Sequence, residues 1–169
     1  KMAITLSGNV SVSVALDLVN AVDLRSVTDP IRYGANFSFT NGTGANQANE
    51  AFADTRTLAA SGTEDLDLAG GLTDSHGTTL TFTKIKAIII KAAATNTNNV
   101  QVTRPASNGL VAFMAAGDGV ALTPGACFAL IAPDANGIAV TAGTGDLLTI
   151  TNSAGTTGVT YDIVIVGTV

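Results

Sequence analysis

The N-terminal stretch Ala3–Val19, AITLSGNVSVSVALDLV, alternates apolar and polar side chains along almost its whole length. Such a period of two predicts a β-strand that is apolar on one face only. Strands usually run to about 5–6 residues, and this pattern is roughly three times longer. A chain that begins this way must either extend a ribbon away from its body or turn back on itself.

Two structures account for the long ribbon. Exposed strand edges are normally protected by charge or by Pro, and the span from Ile4 to Val14 has neither. We therefore expect the ribbon to be covered, either as an arm that joins another subunit by strand addition or by the body of its own chain. In the second case Ser7–Asn9 is a hairpin turn between two ordinary strands. For the next stretch, Leu16–Val27, a short helix is an alternative to a strand.

The remainder of the chain is a series of short apolar strands separated by turn sequences rich in Gly, Asn, Pro and Thr. Asp29–Pro30 and Asn41–Gly42 are turn signals, and a change in the phase of the apolar residues predicts a bulge near Thr83–Lys84. This spacing predicts an all-β antiparallel sandwich, of the jelly-roll type, with an extended N-terminal arm. We assign residues 1–49 to the arm and its loop, and residues 50–169 to the body. The segments predicted as body strands are AFADTRTLAA, EDLDLAG, TLTFTKIKAIIIKAAA, NVQVT, LVAFMA, ACFALIA, GIAVTA, DLLTITN and VTYDIVIVG.

The charge of the chain argues against two classes of partner. Only 12% of the residues are charged, the formal net charge is −5, and the eight Lys and Arg form no cluster. Binding to nucleic acid relies on a basic surface, so direct nucleic-acid binding is not expected. No apolar stretch approaches the ~18–20 residues that cross a bilayer as a helix, so no membrane partner is expected either.

Few residues of the sequence are candidates for catalysis or metal binding. His76, the one histidine, lies in the polar turn sequence TDSHGTT beside Asp74 and Ser75. Consecutive residues do not readily form a catalytic triad, so we interpret His76 as a solvated turn residue. A single His and a single Cys are too few for a zinc site. We expect no catalytic residue, no metal and no cofactor.

Two further motifs have structural explanations. Asp65 and Asp67 could bind a hard cation, but the polar face of an amphipathic strand explains them equally. Cys127 lies in the apolar run ACFALIA, which predicts a buried and unreactive thiol.

The second half of the chain resembles a known class of proteins. TFTKIKAIIIKAAATNTNNVQVT, followed by LTPGACFALIAPDANGIAVTAGTGDLLTITNSAGTTGVTYDIVIVGTV, resembles small virion structural proteins of tailed bacteriophages. The features are a core strand ending in a TNTN-like turn, a PGA turn before an apolar strand, a PDAxG turn, and a final VTYDIVIVG strand. The resemblance covers about Leu80–Val169, roughly half the chain.

The resemblance implies a non-enzymatic protein that decorates or cements a capsid. It implies a homo-oligomer, with a trimer as the first expectation, that contacts the major capsid protein and is located in the virion after assembly in the host cytoplasm. The alternative is a tail, neck or fibre component that binds a receptor or glycan. The residues expected to make subunit contacts are Ile4, Leu6, Val10, Val12, Val14, Tyr33, Phe37 and Phe39.

Overall fold

A computed structural model describes residues 5–111 and 114–169, which fold into β-strands joined by turns. The N-terminal strands are β1 (Gly8–Val22), β2 (Arg25–Asn41) and β3 (Gln47–Ala48). The strands of the body are β4 (Glu50–Leu58), β5 (Thr63–Asp67), β6 (Ala69–Thr73), β7 (Thr79–Thr81), β8 (Lys84–Ala92), β9 (Val100–Thr103), β10 (Gly119–Leu122), β11 (Cys127–Ile131), β12 (Ile138–Ala139), β13 (Leu147–Asn152) and β14 (Val159–Thr168). The all-β prediction is confirmed.

The body is a sandwich of two antiparallel sheets. One sheet has the order β10-β9-β13-β5, and the other has the order β11-β8-β14-β4, with β12 paired to β8. Alternate residues of both sheets point inward, as shown by Val102, Ile150, Ile90 and Ile163, and these side chains belong to one buried apolar cluster. The small sheet β6-β7 contributes Leu72 and Leu80 to the same cluster.

The N-terminal ribbon folds back on its own chain as one long hairpin. β1 pairs with β2 over its full length, from Gly8 opposite Phe39 to Val22 opposite Arg25, and Asp23 and Leu24 form the turn. At ~3.4 Å per residue, a 15-residue strand is about 50 Å long. β3 pairs with β2 only at Thr40 and Asn41, so the rest of the hairpin has no further strand beside it among the described residues.

This arrangement corrects several predictions about the N-terminal region. Leu16–Val27 is strand and turn rather than helix, and Ser7–Asn9 is not a hairpin turn because β1 begins at Gly8. Asp29–Pro30 lies inside β2 rather than in a turn. In the body, LVAFMA is not a strand in its described residues, and two of its residues, 112 and 113, lie outside them. The Gly/Pro and helix signals were local, and cross-strand pairing of the hairpin outweighed them.

The predicted bulge is present two residues after the expected position. Val166 of β14 pairs with Ala87 of β8, whereas the next residue, Gly167, pairs with Ile85. Lys86 is therefore the extra residue of the bulge. The bulge allows Ile85 and Ile88, which differ in parity, to be buried in the same core.

Candidate interaction surface

One face of the hairpin is apolar and open to solvent. Directly opposite residues of an antiparallel pair point to the same face, and the even-numbered residues of β1 share their face with the odd-numbered residues of β2. Leu16 is 58% exposed, Leu18 is 66% exposed and Tyr33 is 62% exposed. The exposed large side chains on this surface, which we call the hairpin face, are Val12, Val14, Leu16, Leu18, Val22, Val27, Ile31 and Tyr33.

The predicted contact residues are divided between this face and the hairpin base. Val12, Val14 and Tyr33 lie on the exposed part of the hairpin face. Leu6, Val10 and Phe37 are half-buried near the base. Phe39 is only 3% exposed and belongs to the structure of the base, so it is not available to a partner. Ile4 lies outside the described residues.

Sequence reasoning missed the outer half of the hairpin face. Leu16, Leu18 and Ile31 are among its exposed residues, but a helix was considered for the first two. The signal was present, because the alternation that begins before Val10 continues without a break through Leu18. A strict period of two over that length favours a strand over a helix.

The opposite face of the hairpin is polar and internally bonded. The guanidinium of Arg32 forms an ion pair with the Asp17 carboxylate at 2.6 Å and donates to the carbonyl oxygens of Leu16 and Ile31. The side-chain amide of Asn9 donates to the Asn36 side chain at 3.0 Å. The two faces of the ribbon therefore differ in chemistry: among the described residues, Val19 is the one large apolar side chain exposed on the polar face, whereas the hairpin face carries eight.

Pro30 modifies the outer edge of β2. In a hairpin with a two-residue turn, the pair that closes the turn exchanges hydrogen bonds, and the pairs then alternate. Counting from Val22 and Arg25, Asp17 and Pro30 form a non-hydrogen-bonded pair. The position where Pro lacks an N–H therefore faces the open edge, where a proline disturbs no hydrogen bond within the hairpin and hinders pairing with a further strand.

The base of the hairpin is fixed to the body. The side chains of Val10 and Phe39 line a cavity of about 230 Å³ together with Ala51 and Val166 of the body sheet. The loop after β2 is held by the backbone bond from Asn46 N–H to the Pro133 carbonyl, at 2.7 Å. The hairpin therefore adjoins the body at its base, while β1 beyond Val10 is exposed.

Lys86 also ties this loop to the body. Its side chain is fully buried, and its ammonium donates to the carbonyl oxygens of Asp134 and, at 3.3 Å, of Gly44. Burial, with a smaller contribution from the charge of Lys84, lowers the pKa of Lys86. The bulge that displaces Lys86 from the strand alternation is thus the feature that gives a buried cation two backbone acceptors.

The strongest polar cluster in the body is structural. Glu64 of β5 accepts hydrogen bonds from Arg56 of β4, at 2.6 and 2.9 Å, and from the Tyr161 hydroxyl of β14, at 2.6 Å. Burial alone would raise the pKa of Glu64, but these hydrogen bonds and the Arg56 charge outweigh it, and the pKa is lowered. Burial and the Glu64 carboxylate raise the pKa of Tyr161. The cluster joins the two sheets and contains neither a histidine nor a cysteine.

The remaining candidate residues lie in turns or on strand surfaces. The Asp74 carboxylate accepts the backbone N–H groups of His76, at 2.9 Å, and Thr78, at 2.6 Å. His76 itself is exposed. Asp65 accepts the Thr149 hydroxyl at 2.6 Å, and Asp67 accepts the backbone N–H of Ala69 at 2.8 Å. These contacts explain the three carboxylates as turn and cross-strand groups.

Two further findings concern metal and membrane sites. Within residues 5–111 and 114–169, no group of three or more His, Cys, Asp and Glu side chains could hold a metal ion. The same residues form no helix of the length and hydropathy needed to span a bilayer.

Cys127 corrects a prediction. It is exposed at the start of β11, on the outer side of the sheet, rather than buried. The apolar run around it is a strand with one covered and one open face, and Cys127 has the parity of the open face.

No family model, curated protein or solved structure matches this chain. The hairpin face, with its base fixed to a sandwich body, is therefore the surface from which a function can be inferred.

Proposed function

We propose that the chain is a non-enzymatic virion structural protein that decorates or cements a capsid as a homo-oligomer. The observation that carries this proposal is the hairpin face, a line of apolar side chains from Val12 to Val22 that is about 35 Å long and exposed in the single chain. Isolated two-stranded hairpins are marginally stable at best, and continuous exposed apolar surface usually marks an interaction site. Assembly would cover this face and stabilise the hairpin.

The strand order of the body supports the jelly-roll part of the proposal. Eight body strands pair as nested partners: β4 with β14, β5 with β13, β8 with β11, and β9 with β10. Such a double-sheet winding occurs in viral capsid and lectin domains. Because one fold serves many functions, the virion setting rests on the resemblance of Leu80–Val169 to tailed-phage structural proteins.

Shortening the hairpin tests the structural role. Val12 and Ala35 are directly opposite, so replacing residues 13–34 with Asn-Gly closes a shorter hairpin in the same register. We expect the wild-type chain to be an oligomer, a trimer as the first expectation, and the shortened chain to have the mass of one subunit with an intact body. Native mass spectrometry measures the mass and circular dichroism checks the fold. A wild-type chain that is monomeric, or a shortened chain that keeps the wild-type number of subunits, contradicts the proposal.

A labelling experiment tests the virion setting. An antibody against the recombinant chain should label particles released by cells that carry the gene, and labelling should disappear when the gene is deleted. Released particles that lack the chain contradict a decoration or cement role, even if the purified chain is oligomeric.

The receptor- or glycan-binding alternative is favoured by one observation. Tyr33 is 62% exposed, and exposed aromatic rings are common platforms for sugars. Tyr33 lies on a flat ribbon opposite Val14, however, whereas ligand sites are usually concave. A glycan array probed with wild-type chain and Tyr33→Ala distinguishes the two functions, because only the glycan-binding function predicts saturable signals that the substitution removes.

A further inference from the structure

The outer face of the β11-β8-β14-β4 sheet carries two apolar rows. The register of the four strands places directly paired residues side by side on the same face. The first outer row consists of Ala51, Val166, Ala87 and Ile131. The second outer row consists of Ala53, Val164, Ile89 and Ala129. The next row along the strands is polar and consists of Thr55, Asp162, Lys91 and Cys127.

The two outer rows differ in how well they are covered. In the first row Ala87 is fully buried, and Ala51 and Val166 face the base of the hairpin across the cavity. In the second row Ala53 and Ala129 are exposed, and the two larger residues between them are only half-buried. The second outer row is thus an apolar surface that the chain does not cover with its own described residues.

We propose that the hairpin face of one copy packs on the second outer row of the next copy. This inference rests on the proposed function in requiring that copies of the chain associate, and it names the two surfaces that meet. Each copy then contributes one hairpin and receives one, which is a head-to-tail contact that closes into a ring where the rotation allows it.

The base of the hairpin provides the first reason for this pairing. There, Val10 and Phe39 at the base of the hairpin line one cavity with Ala51 and Val166 of the first outer row, and Phe39 is 3% exposed. The same two kinds of surface are therefore compatible within one chain. Beyond Val12 the hairpin is exposed, so its outer part is free to make the equivalent contact with a neighbour.

Side-chain size provides the second reason. The hairpin face presents large residues, including Leu16, Leu18 and Ile31. The second outer row has Ala53 and Ala129 at its two ends, which allow a neighbouring ribbon to approach closely. Large side chains packed against small ones fill space efficiently.

The number of surfaces provides the third reason. A contact between two hairpin faces would cover the hairpins but leave the second outer row of every copy exposed. A hairpin-to-body contact covers both surfaces of every copy with a single type of interface.

Cys127 provides a native reporter for the contact, because it is exposed in the polar row next to the second outer row. We would introduce Leu16→Cys, Leu18→Cys or Ile31→Cys, one at a time, in the full chain and oxidise the oligomer. At least one variant should give covalent oligomers on non-reducing gels, and Cys127→Ser should abolish them. Thr28→Cys, on the polar face of the hairpin, is the matched control and should not cross-link.

The cross-linking outcomes separate this inference from the proposed function. Cross-links that survive Cys127→Ser would join two hairpins, and would overturn the hairpin-to-body contact while leaving oligomer formation intact. An oligomeric chain with no Cys127-dependent cross-link from any of the three positions would also overturn it. A wild-type chain that remains monomeric would overturn both the inference and the proposed function.

A substitution in the body tests the same contact without engineered thiols. Val164→Glu places a charge in the second outer row, and we expect the native mass to fall to that of a single subunit. Thr57→Glu, which is exposed on the same sheet face outside the apolar rows, should retain the oligomer. Val164→Glu with wild-type native mass and a normal circular dichroism spectrum would overturn the inference.

Discussion

The N-terminal hairpin and the C-terminal strand β14 have a related sequence pattern and opposite surroundings. Both have apolar residues at every second position, and β14 is apolar at the intervening Val164 and Val166 as well. In β14 the apolar positions Tyr161, Ile163 and Ile165 are buried between two sheets, whereas Leu16 and Leu18 of β1 are more than half exposed. The comparison shows that alternation determines which face of a strand is apolar, while burial requires a second layer that the local pattern does not specify.

The largest difference should be seen in large-to-small substitutions. Ile90 is fully buried in the core, and we expect Ile90→Ala to lower the free energy of unfolding by about 2–5 kcal/mol. The matched variant is Leu16→Ala, measured at a dilution where the chain is monomeric. We expect it to change the free energy of unfolding by no more than about 0.5 kcal/mol. Urea denaturation followed by circular dichroism measures both. Equal losses would show that the hairpin face is packed in the single chain.

A smaller effect should come from the polar cluster that joins the two sheets. Glu64→Gln replaces a carboxylate that accepts three hydrogen bonds from Arg56 and Tyr161. Because hydrogen bonds to charged groups contribute about 1.5–3 kcal/mol each and the amide retains part of them, we expect a loss of about 1–3 kcal/mol at neutral pH. Asp65 is an exposed acid on the same strand. Asp65→Asn is therefore the control, and it should lower the free energy of unfolding by less.

The same variant has a defined pH dependence. The pKa of Glu64 is lower in the folded chain than its ordinary value, which is about 4.3 in the unfolded state. Its contribution to stability is therefore complete above that value and is lost as the pH falls through the lower folded pKa. Between about pH 5 and pH 2, wild-type stability should fall more steeply than that of Glu64→Gln. Urea denaturation at each pH gives the unfolding free energy of both chains. If the two curves against pH are parallel, Glu64 titrates alike in the folded and unfolded states.

The smallest effect on stability should come from Pro30→Val, which restores an N–H at the open edge of β2. We expect the unfolding free energy to stay within about 0.5 kcal/mol of wild type, with large aggregates increasing at high concentration because the edge can then accept another strand. Light scattering over a concentration series measures this. Thr28→Val, two residues away on the same face, increases hydrophobicity without adding an N–H. Equal aggregation of both variants would assign the effect to hydrophobicity instead.

Part of the candidate surface could be predicted from the sequence. Val12, Val14 and Tyr33 were expected to make contacts, and they lie on the exposed hairpin face. Leu16, Leu18 and Ile31 were missed because a helix was considered for Leu16–Val27 and a turn for Asp29–Pro30. Pro30 is tolerated in β2 because it occupies a non-hydrogen-bonded position, and that position is known only once the register is known.

The second outer row could not have been found from the sequence. Ala53, Val164, Ile89 and Ala129 come from four strands that are far apart in the chain, and only the register of the sheet places them side by side. The exposure of Cys127 has the same origin, because an apolar run does not reveal which face of its strand is covered.

The sequence by itself determined that this chain is all-β, that its strands are separated by Gly, Asn and Pro turns, and that its N-terminal ribbon has one apolar face. These properties follow from side-chain alternation and turn preferences, which act over a few residues. Only the tertiary structure decided that the ribbon pairs with residues 25–41, that its apolar face stays exposed beyond the base, and that the body sheet carries an uncovered apolar row. Those outcomes depend on pairing and packing between distant residues, and a local pattern does not encode which partner covers a face.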